Sequence, residues 1–299
     1  MNTDAAYRVV ARYGAEVELR QPDGTTRRAA LRRSLPDIVC GDRVTLDPVT
    51  GAISTRLARH NQLTRRDGFK RVRTMAANID RVWIVVAAQP ATARFLIDRF
   101  LIGIYNLPAA GGILWNKDDL FPLQHHPDGQ SLLAGYGHLG LPILAVSAMH
   151  ALGLVSLQEL ARAGSNILVG PSGVGKSALI QALFPTNALR TAPLGHSGEG
   201  QHTTTQARWY ESAQAGIWID SPGVRDYTPQ DLDTAALTRG FPDFAAFAMQ
   251  CQFRDCSHQH ESRCGVRAAV EHGEIPDSRY AAWLTLSNQT KAMQQRDST

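Results

Sequence analysis

Eight consecutive residues, Gly170-Pro171-Ser172-Gly173-Val174-Gly175-Lys176-Ser177, have the types and order that a bound phosphate requires. The glycines let backbone N–H groups turn inward around an anion. Lys176 supplies a neutralising cation and the Ser177 hydroxyl suits magnesium. An apolar stretch, Ser165 to Val169, precedes the loop, and a helical pattern covers residues 176 to 184 with Ala178 in its first turn. The anion would therefore lie at the positive end of a helix. Forty-three residues beyond Ser177, Asp220-Ser221-Pro222-Gly223 closes another apolar strand, Gly216 to Ile219. Asp220 can hold magnesium directly or through water, while the N–H of Gly223 can reach a terminal phosphate.

A second constellation reads a base. Asn116-Lys117-Asp118-Asp119 ends the apolar strand Gly112 to Trp115. The Asp119 carboxylate can accept from N1–H and the exocyclic amine of guanine, whereas adenine offers neither donor there and would leave the carboxylate unpaired. The stem of Lys117 would cover the base plane. Ser147-Ala148, after Pro142 to Val146, adds a backbone N–H for the guanine oxygen. These base-reading residues precede the phosphate loop, the reverse of the order in ordinary small GTPases, yet each motif still ends a strand of one parallel sheet.

Between the phosphate loop and Asp220 lies Gly198-Glu199-Gly200-Gln201-His202-Thr203-Thr204-Thr205, a polar stretch suited to a switch. One of its threonines, with Thr204 and Thr205 as nucleotide-site candidates, could ligate magnesium when the terminal phosphate is present. Position 224 is Val, where Ras-like enzymes carry the glutamine that orients the attacking water. His202 is the candidate for that role, set against a structural or RNA-contacting histidine. Slow unaided turnover, completed by a partner, follows from the missing glutamine.

Cys251-x4-Cys256-x-His258-x5-Cys264 supplies three thiolates and an imidazole, enough for one closed, structural tetrahedral zinc ion. His260 is a spare candidate ligand. Cys40 stands apart as an ordinary buried cysteine.

The elements that must position these groups fall into three segments. Residues 1–74 alternate apolar and polar residues in short pieces broken by turns such as Pro22-Asp23-Gly24, and Gly41-Asp42-Arg43-Val44 leads into a further strand. That pattern predicts a small OB-type barrel, with Arg27, Arg28, Arg32 and Arg33 available to phosphates. The basic run Arg65 to Arg73 reads as a linker that could itself touch RNA. Residues 75–232 switch to apolar strands separated by longer helical stretches, including strands at Arg81 to Ala88 and Ser165 to Val169 and a helix over 92–106, the signature of a parallel α/β sheet. Residues 233–299 are rich in Ala and aromatics and carry the Cys/His cluster.

Composition bounds the rest. The 299 residues, 43% hydrophobic and 19% charged with net charge +4, suit a globular multidomain chain. Residues 1–74 carry +7 and the remainder −3. A basic module on a nearly neutral body points to a polyanionic partner, nucleic acid above all. No apolar run approaches a membrane span and the start lacks a signal-peptide layout, so a cytoplasmic location away from membranes is expected.

With these residues in view, the chain resembles the RsgA (YjeQ/YloQ) family of circularly permuted GTPases that act in late maturation of the small ribosomal subunit. The resemblance rests on Gly41 to Val44, Ala77-Asn78-Ile79-Asp80, Asn116 to Asp119, Gly170 to Ser177, Gln201 to Thr205, Asp220 to Arg225 and the four Cys/His residues. It implies an OB-fold, a permuted α/β GTPase domain and a mainly helical zinc-binding domain, GTP/GDP as nucleotide, and the small subunit with its rRNA as partner. It further implies subunit-stimulated hydrolysis, His202 as the catalytic histidine, His258 as the zinc-ligating histidine, and a monomer.

Overall fold

The computed structural model describes residues 6–32, 34–35, 37–66, 71–185, 207–220 and 233–297. Strands β1 (Tyr7–Tyr13), β2 (Glu16–Arg20) and β3 (Thr26–Ala30) form an antiparallel meander, and β1 also pairs with β4 (Arg43–Leu46), which pairs with β5 (Ile53–Arg56). One long strand feeding two ladders curls this barrel around Val9, Val17, Leu19, Ile38, Val44 and Ile53, all nearly inaccessible. The ladder is open between β3 and β5 among the described residues.

The basic run after the barrel is not a simple linker. Its flanks form a hairpin of β6 (Gln62–Arg66) and β7 (Val72–Ala77), with Arg65 opposite Arg73 and Arg66 opposite Val72. The pairing extends the ladder that Leu63 and Ala76 anchor in the core, so the arginines ride on an element whose register the buried end determines.

The central sheet places β8 (Arg81–Val86), β9 (Ala110–Asn116), β10 (Ile143–Val146), β11 (Ser165–Val169) and β13 (Gly216–Asp220) in parallel, in the order β10-β9-β8-β11-β13. An antiparallel strand absent from the sequence reading, β12 (Arg208–Ser212), closes one side. It also meets β1 through Ala11 and Arg208, so barrel and central sheet share one hydrogen-bonded surface. β8 is Val- and Ile-rich because both of its faces are covered. Val82, Ile84 and Val86 pack on one side with α1 (Arg94–Asn106) and α2 (Pro127–Ala134). Trp83 and Val85 pack on the other with α3 (Leu154–Ala161) and α4 (Lys176–Leu183). Helices α2 and α3 lie outside the sequence reading; unlike α4, neither follows a motif that marks its start.

Beyond the sheet, α5 (Thr234–Arg239), α6 (Ala245–Ala248), α7 (Gly265–Glu271) and α8 (Asp277–Asp297) gather Phe241, Phe244, Val266, Trp283 and Leu286 around Ile102 of α1. Two joints hold the three parts together. At the first, Gly41 has φ +93°, and a Cβ there would stand 2.0 Å from the Ala77 carbonyl oxygen. The Asn78 side chain donates through Nδ2 to the Gly41 carbonyl at 2.9 Å, so two short motifs of the sequence prove to be one contact. At the second, Arg279 of α8, 1% exposed, donates to Asp98 of α1 and to Asp243 at 2.7 and 3.0 Å. The Tyr136 hydroxyl completes Asp98 at 2.9 Å, and the guanidinium lies 4.2 Å from the Phe241 ring centroid.

Candidate functional site

The phosphate loop leaves the carboxyl end of β11 and opens α4. Gly170 (φ +144°) and Gly175 (φ +97°) adopt conformations that side chains disfavour, and neither has room for one. A Cβ on Gly170 would meet the Val85 carbonyl oxygen at 2.3 Å, and one on Gly175 would meet the Asn116 side-chain nitrogen at 2.3 Å. Gly173 (φ +80°) has more space, with the Pro90 ring 3.4 Å away. Val174 is buried and anchors the loop in the core beneath α4. Lys176 is 7% exposed, and its ammonium donates to the carbonyls of Gly170 and Pro171 at 2.7 and 2.6 Å, which holds it across the loop mouth. Ser172 and Ser177 are exposed at the rim, with Ala178 half-buried behind them.

The candidate base-reading residues arrive on neighbouring strands. Asn116 ends β9, and its Nδ2 donates to the Val174 carbonyl at 2.8 Å, clasping this strand end to the phosphate loop. Its Oδ1 is buried with no partner. Lys117 turns through φ +65° and reaches the Gln89 carbonyl with Nζ at 2.7 Å. Asp118 supports the turn by accepting from the Leu123 amide at 2.7 Å, which leaves Asp119 as the open carboxylate, 12% exposed. Ser147 is fully buried, and its N–H is spent on the Leu152 carbonyl at 3.0 Å. Of the pair Ser147-Ala148, the Ala148 amide is therefore the candidate donor to a nucleobase. Asp220 ends β13, whose Ile219 lies opposite Ile167 of β11, so this carboxylate arrives one strand away from the phosphate loop.

The carboxyl ends of β8, β9, β10, β11 and β13 thus lie along one crevice, the place where open α/β sheets bind ligands. These features suit a nucleotide. Glycine positions that reject a Cβ leave the loop's amides free to approach an anion, and a buried unpaired amide oxygen stands beside the base motif. His202, Thr204, Thr205 and Gly223 lie outside the described residues.

The Cys/His cluster forms where α7 begins. Ligand atoms of Cys251, Cys256, His258 and Cys264 lie within 4.8 Å of one another. His258 Nδ1 is 3.6 Å from Cys251 Sγ and 3.4 Å from Cys264 Sγ, whereas His260 is exposed outside the group. The amides of Gly265 and Arg267 point at the Cys251 and Cys264 sulfurs, at 3.3 and 3.5 Å, as donors to thiolates do. Burial and the neighbouring thiols push the Cys256 thiol up to about 12, and a bound divalent cation would offset that by favouring the thiolate. Glu261 braces the loop by accepting from the amides of Ser257, Gln259 and His260, and the Ser257 contact foremost holds its carboxyl well below the usual range. Tyr280 secures His258 through its carbonyl at 2.7 Å.

Sequence reasoning did not find His150, whose imidazole lies 3.7 Å from Asp119, nor the Gln89-Pro90 segment between Lys117 and Gly173. Only its closeness to Ser147-Ala148 could have marked His150, and Gln89-Pro90 carries no motif.

Fold and crevice define a phosphate-loop GTPase whose motifs occur in circularly permuted order. The RsgA GTPase family model matches residues 56–229. A relative named small ribosomal subunit biogenesis GTPase RsgA, from Histophilus somni (strain 129Pt), is 37% identical over 297 residues, covering 95% of this chain and 84% of its own. The protein of the same name from Pseudomonas fluorescens Pf-5 is 37% identical over 286 residues, covering 93% and 83%. The crystal structure of YjeQ from Thermotoga maritima superposes with TM-score 0.79 at 30% identity over 96% of this chain and 98% of that one. The circularly permuted GTPase YloQ, at 22% identity and TM-score 0.74 over 98% and 97%, shares the fold. The chain belongs to the RsgA GTPase family, and its activity is GTP hydrolysis.

Proposed function

We propose that this GTPase binds the small ribosomal subunit and its rRNA and assists late maturation, with hydrolysis stimulated by the subunit. The observation that carries the reading is the Asn116 to Val174 clasp, which joins base recognition to phosphate binding in permuted order, on a chain that also has a barrel and a Cys3His cluster. The names of the relatives, small ribosomal subunit biogenesis GTPase, support the partner. On the barrel, Arg27 and Arg28 are exposed on β3, a placement that suits phosphate contacts.

In this reading Asp119 accepts from guanine N1–H and the exocyclic amine, Lys117 covers the base plane, and the Ala148 amide donates to the guanine oxygen. Gly170 to Ser177 wrap the phosphates, and Lys176 exchanges its two carbonyl contacts for phosphate oxygens. Magnesium, held by Ser177, Asp220 and a threonine of the 203–205 run, would neutralise charge on the outer phosphates. Gly223 meets the terminal phosphate, and His202 positions the attacking water. Cys251, Cys256, His258 and Cys264 hold one structural zinc ion. The working division is a barrel over 1–74, a GTPase domain over 75–232 and a zinc domain over 233–299, with the β6–β7 hairpin spanning the first boundary. We place the protein in the cytoplasm as a monomer, a location that the ribosomal role in the relatives' names supports.

The test is steady-state hydrolysis of GTP and ATP by the full chain, with and without purified small subunits. Slow, GTP-selective turnover that subunits accelerate at least tenfold is expected. Equal use of ATP would sink the base assignment, and unstimulated turnover the partner. Lys176→Ala should abolish hydrolysis, while His202→Ala should slow turnover with nucleotide affinity nearly intact; a matching loss of GTP binding would remove His202 from the catalytic role.

A further inference from the structure

The loop after β10 is closed tightly upon itself. The Ser147 amide donates to the Leu152 carbonyl, the His150 amide donates to Ser147 Oγ at 3.2 Å, and Ala151 and Gly153 turn through φ +55° and +68°. A Cβ on Gly153 would stand 2.2 Å from the Ala145 carbonyl oxygen, so the turn has little freedom to shift. This backbone delivers the His150 imidazole to 3.7 Å from Asp119 Oδ2, with the imidazole 66% exposed and the carboxylate 12%.

We propose that His150 is a positioning residue that tunes guanine affinity by competing, when protonated, for the carboxylate that reads the base. The inference rests on the assignment of Asp119 as that carboxylate. Guanine's two donors engage both Asp119 oxygens, so an imidazolium 3.7 Å from Oδ2 draws on the same acceptor. Histidine is the side chain whose charge commonly changes between pH 5 and 8, a range in which carboxylates stay ionised. The other charged groups nearby are committed elsewhere. Lys117 donates to the Gln89 carbonyl, Asp118 accepts from the Leu123 amide, and Lys176 is held by the loop carbonyls of Gly170 and Pro171. Among the described residues Asp119 is the one carboxylate in ion-pair range of His150. Attraction of the imidazolium to the nucleotide phosphates is weak by comparison. The order β10-β9-β8-β11 puts three strand spacings, about 14 Å, between this loop and the phosphate loop. That exceeds the screening length of roughly 8 Å at physiological salt.

An exposed ion pair of this kind is worth at most about 1 kcal/mol, or roughly fivefold in a dissociation constant. The experiment measures Kd for GDP with the full chain from pH 5.5 to 8.5, in wild type, His150→Gln and His150→Lys. The β-phosphate of GDP titrates in the same range, so the informative quantity is the ratio of wild-type to His150→Gln Kd at each pH. That ratio should be about three to five at pH 5.5 and approach one at pH 8.5, while His150→Lys binds weakly throughout. A ratio independent of pH, or weaker binding by His150→Gln at every pH, would overturn the proposal. Asp119→Asn separates the two levels of inference, because an amide presents a donor to the 2-oxo group of xanthine and should shift preference from GDP to XDP. If that shift occurs while the ratio stays flat, only the role of His150 fails. If it does not occur, the base reading fails and the proposal falls with it.

Discussion

Gly175→Ala offers a quantitative test of how the crevice is built. The new methyl carbon would lie 2.3 Å from the Asn116 side-chain nitrogen, well inside contact distance, and the residue would have to hold φ +97°. These are separable penalties. A left-handed conformation costs an alanine about 1–2 kcal/mol, which should appear in folding stability with or without nucleotide. Displacing Asn116 breaks its 2.8 Å bond to the Val174 carbonyl and strands buried polar groups, at about 1–3 kcal/mol. Because that bond joins the base-reading strand to the phosphate loop, its loss should fall mainly on affinity, as a roughly 5- to 150-fold weaker Kd for GDP. The assay is GDP binding in a double-mutant cycle with Asn116→Ala, alongside urea unfolding of each variant. Once Asn116 is truncated the clash is gone, so Gly175→Ala should then weaken binding by less than about threefold. Gly173→Ala, with only the Pro90 ring at 3.4 Å, should show the conformational penalty alone. Strict additivity in the cycle would refute the clasp as the connection between the two halves of the site.

The remaining expectations concern what holds that site in place. Arg279→Met should lower stability by about 3–5 kcal/mol in urea unfolding, because it leaves two buried carboxylates without their cation. Adding Asp98→Asn should restore part of that loss, and an unchanged midpoint in the single variant would contradict the burial argument. Gly41→Ala should disrupt the first joint by 2 kcal/mol or about that, read as a lower Tm, since the Cβ meets a backbone oxygen that cannot rotate away. Chelation of the Cys/His cluster should lower Tm and change the near-ultraviolet signal of Trp283, whose ring lies 5.7 Å from that of His258; a spectrum indifferent to chelator would argue against a structural metal.

Much of the molecule was readable in linear order where one residue type answers one local demand. The phosphate loop announced itself because glycine, lysine and serine at fixed spacing act through backbone and charges within a single turn, and the Cys/His set because its ligands fall within fourteen residues. Parallel strands such as β8 were legible from runs of Val and Ile, which are the chemistry of burial on both faces. Their positions in the sheet were not, since pairing joins residues such as Asn166 and Arg81, far apart in the chain. The same limit explains what the linear reading missed or misread. The run from Arg65 to Arg73 reads as a linker because the apolar residues that anchor its hairpin, Leu63 and Ala76, lie outside it, and β12 drew no notice until β13 and β1 gave it partners. Gly41 with Ala77, Arg279 between Asp98 and Asp243, and His150 beside Asp119 are contacts of tertiary structure alone. Sequence by itself determined which chemistry the chain carries, because that chemistry resides in side chains and short backbone turns. The tertiary structure decided which of those groups share a crevice and what each is already bonded to, because distances across a fold depend on packing rather than on order along the chain.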